Sequence, residues 1–268
     1  MRSLNLVLSE YSFANLFLFR DIHHYQVVTV NHALFIKGMT RNHIPYLMFT
    51  SSSDRFDNNS LKELLEETGA EMFFPCPEIW FDLFEENIRL ASYQDEDSDY
   101  IYERQKLAAY AGRRFDGQRN QIKQLLARHS VKVKPLASNR EDGHKVLKKW
   151  RDEHTNPIEL TDFFSCSEAI ELLTTLQLDG RLVYVNDEPA GFTIGEWISK
   201  NCYAIHFAKA TRTYHGLYPY LFQDLALSIS EEQAYLNMGP DLAIASLGHA
   251  KQTYLPHDRI KKWRLKLR

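Results

Sequence analysis

Cysteine is scarce in this 268-residue chain: only Cys76, Cys166 and Cys202 occur, far apart and odd in number. Neither a disulfide framework nor a thiolate metal spacing is spelled out, and a reducing cytoplasm is the expected setting. Eleven histidines are present, but His23-His24 is an adjacent pair and no His-x-x-x-His with a glutamate or Cys-x-x-Cys accompanies them, so no metal centre is expected. A Gly-x-Ser-x-Gly elbow and a Walker loop are also missing, which removes the usual signals for a serine hydrolase or a nucleotide hydrolase. The apolar run Phe13-Ala14-Asn15-Leu16-Phe17-Leu18-Phe19 is too short to span a bilayer and lacks a basic leader and a cleavage site. No transmembrane segment and no export are expected. Low-complexity linkers are absent too, so any two domains should pack against each other rather than tumble apart.

What the chain does have is an ordinary globular balance, 44% hydrophobic and 25% charged, with 13% aromatic residues to fill cores or clefts. Its length admits one large domain or two moderate ones, and two are expected. The net charge of −3 hides a strong asymmetry. Residues 51–100 hold fourteen acids against three bases, residues 101–134 nine bases against two acids, and Lys251–Arg268 seven bases against Asp258 alone. Either the basic segments attract a polyanion such as tRNA or a phosphate-bearing donor, or they pair with the acidic stretch.

Strand and helix signals alternate along the chain. Val27–Val30 and Ala33–Ile36 read as a hairpin about Asn31-His32, Pro45–Phe49 and Glu71–Phe74 as strands, Ser60–Thr68 as a helix stopped by Gly69, and Pro77–Asn87 as a second short helix. Tyr102–Ala111 reads as a helical turn region and Arg114–His129 as a helix. Val131–Lys134 alternates like a strand, and Glu141–His154 and Ser167–Leu176 read as helices separated by a turn at Thr155-Asn156-Pro157. Next come a hairpin of Leu182–Val185 and Gly191–Glu196 about Asn186–Pro189, a strand at Cys202–Phe207, a loop, a helix from Leu217 to about Ser230, and a short strand at Ala234–Asn237.

Five blocks occur in an order that narrows this reading: Ser9–Phe17, Asp99–Tyr102, Gly112–Phe115 with Gln118–Asn120, His206–Ala210, and Asn237 through Lys251 to Tyr254–Pro256. Together they resemble the soluble bacterial proteins related to the C-terminal domain of phosphatidylglycerol lysyltransferase, over nearly the whole chain. The resemblance implies an α+β fold with mixed sheets, built as two GNAT-like (acyl-CoA N-acyltransferase-like) domains in tandem: residues 1–112, a connecting helix at 113–130, and residues 131–268. In such folds two neighbouring parallel strands splay and the acyl donor enters the gap.

On this resemblance several residues become candidates. Lys209, just beyond a central strand, would bind a carboxylate or phosphate, or else form an ion pair. Arg212 and Gly216 stand where an acetyltransferase has its pyrophosphate loop, although the spacing is displaced and a second glycine is missing, which weakens coenzyme A as donor. Asn237 and Asp241 flank Gly239-Pro240; the Asp241 carboxylate would take a proton from the acceptor, or cap the helix that follows. The block there departs from the family, with Asp241-Leu242-Ala243 in place of Asp-Leu-Gly. Lys251 would meet phosphate and Tyr254 would donate to a developing oxyanion, unless both serve packing. Arg113, Arg114, Arg119 and Asn120 would contact phosphate or tRNA, or brace the two domains. The expected activity is acyl or aminoacyl transfer from an aminoacyl-tRNA to a small-molecule or lipid-headgroup acceptor. Its alternatives are an acyl-coenzyme A-dependent N-acyltransferase and a non-catalytic pair that binds a ligand or protein.

Overall fold

The computed structural model describes residues 4–51, 58–84, 88–230 and 234–268. After a 3-10 turn at Ser9–Tyr11 come α1 (Phe13–Leu18), α2 (Arg20–His23), β1 (Gln26–Val30), β2 (Ala33–Met39), β3 (Pro45–Phe49), α3 (Asn58–Thr68), β4 (Met72–Cys76) and β5 (Ile88–Ser92). The chain continues through β6 (Asp99–Glu103), α4 (Arg104–Ala109), α5 (Asp116–Arg128), β7 (Val131–Pro135), α6 (Arg140–Asp152), α7 (Phe163–Glu171), β8 (Asp179–Val185), β9 (Glu188–Trp197) and β10 (Cys202–Ala210). It ends with α8 (Leu217–Ser228), β11 (Tyr235–Asn237), α9 (Ala245–Gln252), β12 (Asp258–Ile260) and β13 (Trp263–Leu267). The fold is mixed α+β, with two mixed sheets. No helix among the described residues is long and apolar enough to cross a membrane.

The residues pack as two units, the first of 1–100, 240–250 and 258–268, the second of 101–239 and 251–257. The contiguous blocks drawn from sequence differ from these because β13 returns to the first unit, where it lies between β4 and β5 and pairs antiparallel with both. That unit's strand order is β1-β2-β3-β4-β13-β5. Its interior is aromatic: Phe49 stacks on Phe73 at 4.8 Å and meets Trp80 edge-on at 5.6 Å, with Leu47 and Leu265 beside them. The expected helix at Pro77–Asn87 forms only as a 3-10 segment, Glu78–Leu83, and residues 85–87 lie outside the described ones. Trp80 and Phe84 still turn inward, so packing of these side chains holds even with tighter backbone winding.

Charge in the first unit is settled mostly at home. Arg264 pairs with Asp97 at 2.5 Å, Lys266 with Glu71 at 3.4 Å, and Lys262 with both Asp99 and Glu10 at 2.6 Å. For these cations of the closing basic run, pairing with acids of the same unit is thus the arrangement found.

In the second unit the order runs β6-β11-β10-β9-β8-β7. Asn186 and Asp187, both at positive φ (53° and 66°), turn β8 into β9, the left-handed pair that tight hairpins favour. Helix α7 begins at Phe163, earlier than the expected Ser167, and its preceding residue Asp162 makes no cap; the side chain is directed at Lys209 instead. One face of the sheet closes over Leu125 of α5 and Leu217 and Leu221 of α8, packed on Val183, Val185, Ala190 and Ala210.

Candidate functional site

Strands β10 and β11 run parallel and pair only at Cys202–Tyr235, Tyr203–Leu236 and Ala204–Asn237. There β11 ends, while β10 continues to Ala210 paired with β9 alone. The departure coincides with a bulge between Ile205 and Phe207 that leaves His206 as the extra residue. A bulge adds twist and re-aims side chains, and this one sits just past the point where pairing stops. The two parallel strands therefore share three pairs, and β10 runs on beside β9.

The candidates fall into small groups. Lys209 is buried, and its ammonium is held by both carboxylate oxygens of Asp162, at 2.6 and 2.8 Å, and by the face of Trp150 at 3.9 Å. Burial alone would lower its pKa; Asp162 more than offsets that and raises it. Tyr218 of α8 joins them, its hydroxyl interacting with the Ala210 backbone and with Trp150. The partners differ in exposure, since the Lys209 side chain is 7% exposed and that of Asp162 32%. Asp162→Ala should therefore cost about 3 kcal/mol by stranding a buried ammonium, whereas Lys209→Met, which leaves a carboxylate able to hydrate, should cost about 1 kcal/mol. Urea unfolding of the two variants checks the asymmetry; equal losses would contradict it.

The loop between β10 and α8 is fastened at one end by Glu153, which accepts the Arg212 backbone N–H at 2.7 Å. At the other end Gly216 has φ +93° and sits so close to α5 that a Cβ would lie 2.6 Å from the Gln121 carbonyl oxygen. The loop thus leads from β10 into the N-terminus of α8, whose third residue is Pro219.

At the end of β11, Asn237 accepts the Gly239 N–H through Oδ1 at 2.7 Å, and Lys251 donates to the carbonyls of Met238 (2.7 Å) and Gly239 (2.9 Å). The structure thus brings Asn237 and Lys251 together as a clasp on one turn. Tyr254 packs edge-on against Phe222 of α8 at 5.0 Å and lies 6.3 Å from Tyr110, and burial pushes its hydroxyl pKa up. Arg119 braces the 110–116 turn, donating to the carbonyls of Tyr110 and Gly112 and pairing with Asp116. Arg113, Arg114 and Asn120 are exposed. Asp241 belongs to the first unit, where it accepts from the Tyr100 hydroxyl at 2.6 Å and from the Ala243 N–H at 3.1 Å, with Arg259 3.8 Å away.

Sequence reading missed a buried pair in the second unit. His206 Nε2 lies 3.1 Å from Glu196 Oε1, and the side chains are 2% and 6% exposed. An imidazole fixed by a carboxylate can hold or pass a proton. Only strand pairing across β9 and β10 joins these two, ten positions apart in sequence, so spacing along the chain carried no sign of them.

Residues 1–266 match the family described as phosphatidylglycerol lysyltransferase, C-terminal. The chain belongs to that family. Among solved structures, a conserved protein of unknown function from Bacteroides thetaiotaomicron superposes with a TM-score of 0.81 at 20% identity, covering 100% of this chain and 95% of that one. The C-terminal domain of a putative lysylphosphatidylglycerol synthetase from Agrobacterium fabrum superposes with a TM-score of 0.62 at 11% identity, covering 95% and 87%. An uncharacterised protein of Mycoplasmoides gallisepticum, MYCGA3080, is 23% identical over 181 residues, 65% of this chain; the match spans 57% of that relative's length.

Proposed function

We propose that the second unit is an acyl- or aminoacyltransferase whose donor enters where β10 leaves β11. The observation that supports this reading is that β10 runs on through Ile205–Ala210 beside β9 after its last pair with β11. In this reading the Tyr254 hydroxyl donates to the developing oxyanion, His206 and Glu196 manage the proton, and Lys209 and Lys251 hold the walls in place through their carboxylate and carbonyl contacts.

The proposed donor is an aminoacyl-tRNA and the acceptor a small molecule or lipid headgroup. Family membership supports this, as do the exposed cations Arg113, Arg114, Lys123 and Arg128 on and beside α5. The second reading, an acyl-coenzyme A donor, is supported by the α8 N-terminus behind the Arg212–Gly216 loop. Thermal unfolding with charged tRNA, uncharged tRNA and coenzyme A derivatives separates the readings, because a ligand of the native state raises apparent stability. Charged tRNA should give the largest shift, and Arg113→Ala with Arg114→Ala should reduce both the shift and its dependence on salt. A shift with coenzyme A alone would favour the second reading; no shift with either would sink both.

A further inference from the structure

Strand β1 forms one edge of the first unit's sheet, and among the described residues it pairs with β2 alone. Its residues, Gln26-Val27-Val28-Thr29-Val30, include no charge and no proline, and its register with β2 runs through all of them without a bulge. Such an edge is a template for another strand, which is why charge, proline or a bulge is the usual protection. This chain uses that protection elsewhere. The opposite edge of the same sheet, β5, exposes Arg89, and the edge strand β7 of the second unit exposes Lys132 and Lys134 and ends in Pro135.

The direction of the unpaired main-chain groups follows from the turn. Asn31 and His32, both at positive φ, join Val30 to Ala33, so that pair closes the hairpin with hydrogen bonds and bonded pairs alternate from there. Val28 and Gln26 thus bond to Phe35 and Lys37, whereas the N–H and C=O groups of Val27 and Thr29 point out of the sheet edge. The side chains beside them are apolar. Val27 is 70% exposed, and Leu34, opposite Thr29, is 51% exposed, with half-buried Ile36 opposite Val27 on the same face. Val28 and Val30 turn the other way and pack on the aromatic interior.

We infer that two copies of this chain pair through β1 as an antiparallel, two-fold dimer. The strand is its own complement. With the axis through Val28, the outward groups of Val27 meet those of Thr29 in the second copy and exchange both hydrogen bonds, and the same pair recurs across the axis. Val28 faces Val28 of the second copy at the non-bonded site, Gln26 faces Val30, and no charge of the strand opposes another. An uncharged edge has no charge by which to select a foreign strand, but it meets every requirement of a copy of itself. Both β1 edges are consumed, so the joined sheet ends at β5 with its Arg89 on either side and the assembly closes at two. The inference uses only the first unit and is independent of the transferase reading.

Analytical ultracentrifugation of the full chain across the micromolar range tests it. The mass should be twice that of the monomer, and the melting temperature should rise with protein concentration. Val27→Lys with Thr29→Lys sets ammonium groups opposite each other across the axis, and should weaken association about tenfold or more with unchanged circular dichroism. Val28→Cys should form an interchain disulfide on oxidation with diamide, since a non-bonded antiparallel pair sets its Cα atoms about 4.5 Å apart. Gln26→Cys, which faces Val30 of the second copy, should not. The native cysteines are buried and do not compete. A monomer at every concentration, a dimer untouched by the double lysine variant, or cross-linking of Gln26→Cys as ready as that of Val28→Cys would overturn the inference. The mass measurement uses the unaltered protein, so its outcome does not depend on any variant folding.

Discussion

Lys262→Met should destabilise the first unit by about 3–5 kcal/mol, the cost of removing one partner from a buried ionic cluster. The Lys262 side chain is 1% exposed and that of Asp99 0%. Without the ammonium, Asp99 keeps the Ser9 N–H at 2.8 Å and the Ser9 hydroxyl at 3.1 Å but loses its counter-charge, and Glu10 loses its 2.6 Å partner. Burial already raises the Glu10 pKa, with Lys262 opposing it, so the substitution should raise it further. A carboxyl whose folded pKa is raised favours the folded state below its unfolded pKa, and that contribution is lost as pH rises through the folded value. The deficit of Lys262→Met should accordingly be smaller near pH 4 than near pH 8. Burial would lower the Lys262 pKa, but the two carboxylates raise it overall, so in the unaltered protein this group's stabilisation holds below pH 10.5 and fades as pH rises through its higher folded value. Urea unfolding at several pH values reads all of this, and adding Asp99→Asn should recover part of the loss. A deficit under about 1 kcal/mol at pH 8 would mean that the two carboxylates do not depend on this ammonium.

Gly216→Ala should have the second largest effect, about 2–5 kcal/mol, because two penalties coincide. A left-handed backbone costs an L-residue about 1–2 kcal/mol, and overpacking typically adds about 1–3 kcal/mol. The obstruction is main chain, with the Gln121 carbonyl oxygen 2.6 Å and its carbon 2.9 Å from the new Cβ, so no rotamer change relieves it. Either α5 shifts or the loop at the start of α8 moves. The variant should lose the donor-induced thermal shift as well as stability. Stability equal to the parent protein would show that loop and helix yield easily and that Gly216 does not fix the site.

Local signals revealed local structure. Asn31-His32 and Asn186-Asp187 adopt positive φ at the two hairpins read from their sequences, and Gly69, at φ +63°, ends α3 where a stop was expected. The strand at Cys202 was also legible, though β10 runs on to Ala210. Alternation into Ala208-Lys209 was hidden because the bulge at His206 shifts the two-residue period, and Lys209 is a charge at a buried position that only Asp162 and Trp150 make tolerable. Nonlocal partners left no local trace. Asp162 serves as a counter-ion to a lysine 47 positions away, Glu196 meets His206 only across strands, and Trp263–Leu267 mixes apolar and basic residues without announcing a position between β4 and β5.

The insertion of β13 between β4 and β5 also orders events at the ribosome. Domains generally fold as units in the order of synthesis. Here the sheet that begins first cannot close until residues 101–239, most of the second unit, have been translated and β13 has emerged after them. In the interval β4 and β5 present unpaired edges to the surrounding solution, the kind of exposure that invites chaperones or aggregation. A nascent chain stalled before Trp263 should therefore carry a competent second unit tethered to an unfinished first one.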